Sequence, residues 1–162
     1  MTSTTVLGTY LNNHLAGANV GVELARRLHE RAGTGPDAAT LGRLAEEIES
    51  DRDELRGLIE QLGEAGQPMK RAVGWLTGKV HRLTAKLPRG GEGLGVLLET
   101  EALALGIEGK LKLWQALLAV APAHPRLVEA DLIRLAARAR EQQGRIETIR
   151  VAVACRAFTT PS

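Results

Sequence analysis

The sequence predicts an all-α protein, organised as an antiparallel four-helix bundle with a shorter additional or crossover helix. Apolar residues recur at helical spacing over long stretches, whereas alternation with a period of two is absent. Aromatic residues make up only 2% of the chain, and β-strands favour aromatic and β-branched side chains. The length of 162 residues is typical of one domain, which we predict to span residues 1–162.

Clusters of glycine and proline divide the chain into helical segments. The predicted helices cover approximately residues 5–31, 38–62, 69–87, 95–120 and 125–158. Asp37 is expected to cap the second helix with its side chain, and Pro125 suits the first turn of the last helix. Short connections predict two hairpins, one from the first two helices and one from the last two. The helix at 69–87 is then either the crossover between the hairpins or a fifth helix packed on their side.

Four of the apolar stripes each carry one polar residue near the middle. These residues are His14, Asp51, Glu101 and Gln142. Counting the helical rise from each turn brings His14 level with Asp51 and Glu101 level with Gln142. The same counting places Glu108 opposite Arg138. A buried polar group is costly unless it has a partner, so these residues predict a polar layer in the core.

Two interpretations of this layer are open. In the first, the layer is a structural hydrogen-bond network that fixes the register between helices and holds no cofactor. His14 then pairs with Asp51, and Glu101 pairs with Gln142 or with a basic residue such as Arg138 or Arg145. In the second, His14, Asp51, Glu101 and Glu108 are ligands of a non-haem metal such as iron or manganese. The first interpretation is preferred, because a single histidine on an apolar face is more often a hydrogen-bonded core residue than a metal ligand.

The segment from Tyr10 to Gly17 (YLNNHLAG), the segment 22–25 (VELA) and the long paired helices resemble uncharacterised bacterial ferritin-like proteins. This resemblance implies an antiparallel four-helix core. Some members of that superfamily bind two iron or manganese ions and handle oxygen or peroxide. Their metal site needs a Glu-x-x-His motif on two helices, and this chain has no such motif. The resemblance therefore implies no iron-binding residue here.

Composition excludes several classes of function. The formal net charge is only +2 and both signs are interspersed, so the sequence does not predict a nucleic-acid-binding surface. The single cysteine, Cys155, excludes an internal disulfide and a cysteine-based zinc site. The sequence predicts neither a secretory signal nor a membrane span, and we expect a cytoplasmic protein.

These observations favour a non-enzymatic ferritin-like bundle with a structural or partner-binding role. The alternative is a metal-binding bundle, which would be an oxidoreductase. A third hypothesis is a small-molecule binding bundle in which Gly17 and Gly21 open a pocket for an unknown ligand.

The predicted helix at 95–120 is apolar on two faces. One face carries Leu94, Leu98, Glu101 and Leu105; the other carries Ile107, Leu111, Trp114 and Leu118. One core cannot cover both faces, so the Trp114 face favours a homodimer with a two-fold axis. If Trp75 in the helix at 69–87 covers Trp114 instead, the protein is a monomer.

Overall fold

A computed structural model describes residues 5–64 and 92–159, and helices are the only regular elements in these two ranges. Four are α-helices: α1 (Val6–Ala32), α2 (Ala38–Leu62), α3 (Glu92–Val120) and α4 (Glu129–Thr159). A short 3-10 helix covers Ala121–Ala123. The all-α prediction is therefore confirmed for these ranges, while the predicted helix at 69–87 lies outside the described residues.

Local hydrogen bonds explain where α1 and α2 begin and end. The hydroxyl of Thr5 caps α1 by accepting a bond from the Gly8 amide at 2.9 Å. Gly63 closes α2 in a left-handed conformation with φ 75°, which glycine adopts without steric cost. The predicted side-chain cap by Asp37 is wrong. Asp37 occupies the capping position without a capping bond, because its carboxylate accepts a hydrogen bond from Arg156 on α4 at 3.0 Å.

The start of α4 also differs from the prediction. Pro125 lies in a turn rather than in the first helical turn, and α4 begins four residues later. The carbonyl of Val128 accepts the first helical bonds, from Asp131 and Leu132. The preceding turn directs Leu127 into the core, where its side chain is buried. Burial of this leucine explains the delayed start.

Two apolar clusters form the core of the described helices. One cluster joins the C-terminal half of α1, the N-terminal half of α2, the N-terminal half of α3 and the C-terminal half of α4. The other joins the remaining halves of the same helices. The closest helix contacts are between α1 and α2 and between α3 and α4. By comparison, α2 and α4 approach each other at few backbone positions, so long side chains span much of the space between them.

The buried face of α3 is not the one predicted. Leu105 is 73% exposed, whereas Trp114 is only 1% exposed and packs in the core. Because α3 carries apolar residues all round, its sequence pattern does not select one face. The buried Trp114 face is unavailable for the predicted dimer contact. None of the described helices is both long enough and apolar enough to cross a membrane.

A glycine inside a helix and a glycine at a helix end give a direct test of these assignments. A Cβ atom at Gly144, inside α4, would meet no atom within 4 Å. We therefore expect Gly144→Ala to raise the free energy of unfolding by about 0.5–1 kcal/mol, because alanine restricts the unfolded chain. Gly63→Ala should instead lower it by about 1–2 kcal/mol, because an L-residue is strained at positive φ. Urea unfolding of both variants measures the two effects, and stabilisation by Gly63→Ala would contradict the left-handed end of α2.

Candidate functional site

A polar layer separates the two apolar clusters. Asp51 of α2, Lys110 of α3 and Gln142 of α4 meet there. Asp51 is 2% exposed and Gln142 is fully buried, while the Lys110 side chain is 14% exposed. The prediction that Asp51 is buried and hydrogen-bonded is confirmed.

In the hydrogen bonds of the layer, each donor group faces an acceptor. The Lys110 ammonium donates to Oδ2 of Asp51 and to Oε1 of Gln142, both at 2.5 Å. The amide nitrogen of Gln142 donates to Oδ2 of Asp51 at 3.0 Å and to Oε2 of Glu47 at 3.1 Å. The glutamine thus presents its oxygen to the cation and its NH₂ group to two carboxylates. This complementarity fixes the orientation of the amide.

Arginines of α4 and acidic residues of α2 extend the layer along these two helices. Arg138 forms an ion pair with Oδ1 of Asp51 and also donates to Glu54 at 2.8 Å. Arg134 donates to Glu54 at 2.6 Å, and Arg145 donates to Glu47 at 2.9 Å. The partners follow opposite orders along α2 and α4. Together they form a charged seam where the two backbones are far apart.

Burial and pairing shift the pKa values of this cluster. Burial lowers the pKa of Lys110 below its ordinary value, with the nearby carboxylate of Asp51 opposing that shift. Hydrogen bonding from Arg145 lowers the pKa of Glu47. Hydrogen bonding from Arg134 lowers the pKa of Glu54 in the same way. Both glutamates therefore remain ionised at neutral pH.

His14 does not join the layer. Its ring is half-buried and makes an edge contact with Tyr10, the ring centroids being 4.6 Å apart. Burial lowers the pKa of His14, which favours the neutral imidazole. The predicted pairing of His14 with Asp51 is wrong, because Lys110, Arg138 and Gln142 surround the Asp51 carboxylate.

The two glutamates predicted on α3 have other partners as well. Glu101 lies 3.6 Å from Arg150, so its partner is basic, as one alternative predicted, but it is none of Gln142, Arg138 and Arg145. Glu108 pairs with Lys112 at 3.1 Å and accepts a hydrogen bond from Gln143, rather than lying against Arg138. The structure thus does not bring His14, Asp51, Glu101 and Glu108 together. Within residues 5–64 and 92–159, no group of three or more His, Cys, Asp or Glu residues could hold a metal ion.

Sequence reasoning missed two charged residues of α3. Lys110 lies between buried Ile107 and Trp114 at helical spacing, a pattern that marks the core face in retrospect. Glu99 is 3% exposed and lies 3.5 Å from the guanidinium groups of Arg27 and Arg31.

Comparison of the chain with protein-family models, curated proteins and solved structures found no match.

Removal of the Asp51 carboxylate should strongly destabilise the fold. Asp51→Ala leaves the Lys110 ammonium without its buried counter-ion, and we expect a loss of about 3–5 kcal/mol. Urea unfolding monitored by circular dichroism measures this loss. Glu49→Ala is the matched control on the same helix. Glu49 pairs with Arg26 and Arg52 near solvent, so that variant should lose at most about 1 kcal/mol.

The double variant Asp51→Leu with Lys110→Met should regain part of the stability lost in Asp51→Ala, because the unpaired Lys110 ammonium is removed as well and Arg138 keeps Glu54 as its partner. Equal losses in Asp51→Ala and Glu49→Ala would contradict a buried ion pair.

The Lys110 ammonium predicts an unusual dependence of stability on pH. Its pKa is lowered in the folded chain from an ordinary value of 10.5, so the folded chain releases the proton first as pH rises. At pH values between the pKa of Lys110 in the folded chain and its pKa in the unfolded chain, the unfolded chain binds more protons than the folded chain. The free energy of unfolding therefore increases with pH in this range. Lys110→Met lacks this titration. Urea unfolding across the alkaline range should show a steeper rise for the parent protein, and parallel curves would contradict the assignment.

Proposed function

We propose that this chain is a non-enzymatic helical-bundle protein of the ferritin-like kind, with a structural or partner-binding role. The order of its helices supports this architecture. Thr5, before α1, donates to Glu64, after α2, at 2.6 Å. Arg27, near the end of α1, pairs with Glu99, near the start of α3. The end of α2 and the start of α3 therefore belong to opposite ends of the proposed antiparallel bundle, which is the order of a ferritin-like fold with one crossover connection.

The observation that carries the functional proposal is the neutralisation of the polar layer by the chain itself. Asp51 faces Lys110 and Arg138, and Glu47 faces Arg145. The cations that balance these carboxylates are side chains of neighbouring helices. Such a layer is suited to holding α2, α3 and α4 in one register. The bundle would then present its outer surface, rather than its core, to a partner.

Metal content distinguishes this proposal from a metal-binding oxidoreductase. We expect untagged protein to contain far less than one equivalent of iron, manganese or zinc, as measured by inductively coupled plasma mass spectrometry. Treatment with a chelator should leave the melting temperature unchanged, because the ion pairs of the layer need no metal.

His14→Ala and Glu49→Ala provide the control. Neither variant should change the metal content. Near-stoichiometric metal that persists in Glu49→Ala and disappears in His14→Ala would overturn the proposal in favour of a metal site that includes His14.

A further inference from the structure

An open groove lies between the C-terminal turns of α2 and the start of α4. Its volume is about 310 Å³, and its floor is formed by Leu58, Leu132 and Leu135. Gly57 leaves the α2 wall without a side chain, and a Cβ atom there would meet nothing within 4 Å. The groove is therefore apolar at its base and open along one side.

Polar contacts bridge the groove at both ends. At one end, Arg134 of α4 donates to Glu54 of α2 at 2.6 Å. At the other, Gln61 and Arg126 each donate from a side chain to the backbone carbonyl of the other, both at 3.3 Å. These bridges link the two walls at either end of the groove. A space of this size, with an apolar floor and a few polar groups at its rim, is typical of small-molecule sites.

The groove is lined by two acidic and two basic residues, Glu54, Asp131, Arg126 and Arg134, but the ion pairs among them leave Arg126 out. Glu54 is shared by Arg134 and Arg138, and Asp131 lies 3.7 Å from Arg134. Arg126 contacts only the neutral carbonyl of Gln61, so its guanidinium has no carboxylate partner in the described part of the chain. Guanidinium groups bind carboxylates through short charge-assisted hydrogen bonds. The groove therefore combines an apolar base with one cation available to an anion.

We propose that this groove binds a small amphipathic carboxylate, whose apolar body rests on Leu58, Leu132 and Leu135 and whose anionic group pairs with Arg126. This site is distinct from the polar layer, and the proposal goes beyond a structural or partner-binding role without depending on it. The absence of a side chain at Gly57 keeps the groove open, because any larger side chain there would occupy the space of the ligand.

Isothermal titration calorimetry with octanoate tests the proposal, with octan-1-ol and octylammonium as probes of the same length. We expect octanoate to bind more tightly than both, because only octanoate carries the charge that Arg126 complements. Arg126→Gln should weaken octanoate binding by about tenfold or more, as expected for loss of a charge-assisted contact. Equal binding of octanoate and octan-1-ol, or unchanged binding in Arg126→Gln, would overturn the proposal.

Two leucine variants provide a matched steric control. Gly57→Leu fills the groove and should abolish octanoate binding, while Gly144→Leu places the same side chain at an open helical glycine outside the groove and should leave binding unchanged. Circular dichroism verifies that both variants fold. Failure of the parent protein to bind octanoate at millimolar concentration, or equal effects of the two leucines, would also overturn the proposal.

Discussion

The ion pair between Asp51 and Lys110 is the constraint on which the described bundle depends. A buried carboxylate is costly unless opposite charges and hydrogen bonds compensate it. Here Lys110 of α3 and Gln142 of α4 donate to Oδ2 of Asp51, and Arg138 of α4 pairs with Oδ1. Sliding α2 or α3 by one turn, about 5.4 Å, would separate the pair, and sliding α4 by one turn would withdraw Gln142 from it. The apolar clusters on either side restrict the register of the helices less strictly, because hydrophobic attraction has no direction.

The helix pairs differ in the kind of side chain that joins them. Between α1 and α2, between α3 and α4, and between α1 and α3, apolar side chains bring the helices together. Between α2 and α4, acidic and basic side chains extend across a wider space. Pairs near solvent contribute little stability each, yet their fixed order adds specificity. The groove lies where this seam has no charged pair, between the bridges at Glu54 and Gln61.

Much of the fold could be predicted from the sequence, because helical spacing and glycine–proline breaks are local signals. Asp51 and Gln142 were identifiable as single polar residues in apolar stripes. The position of His14 was not, because counting residues gives height along a helix but not the direction of a side chain. Lys110 was missed because a lysine normally indicates a surface position, although its neighbours at helical spacing, Ile107 and Trp114, are buried. The face of α3 was wrong because its apolar residues surround the helix.

The opposite charges along the seam between α2 and α4 also bear on how the chain assembles. The contacts between α1 and α2, and those between α3 and α4, are local in sequence, and local contacts form early. The first pair carries Glu47 and Glu54 on its side of the seam, and the second carries Arg134 and Arg145. Electrostatic attraction guides such edges before they touch. The seam therefore favours one relative orientation of the two helix pairs during folding, and concentrated salt would weaken this preference.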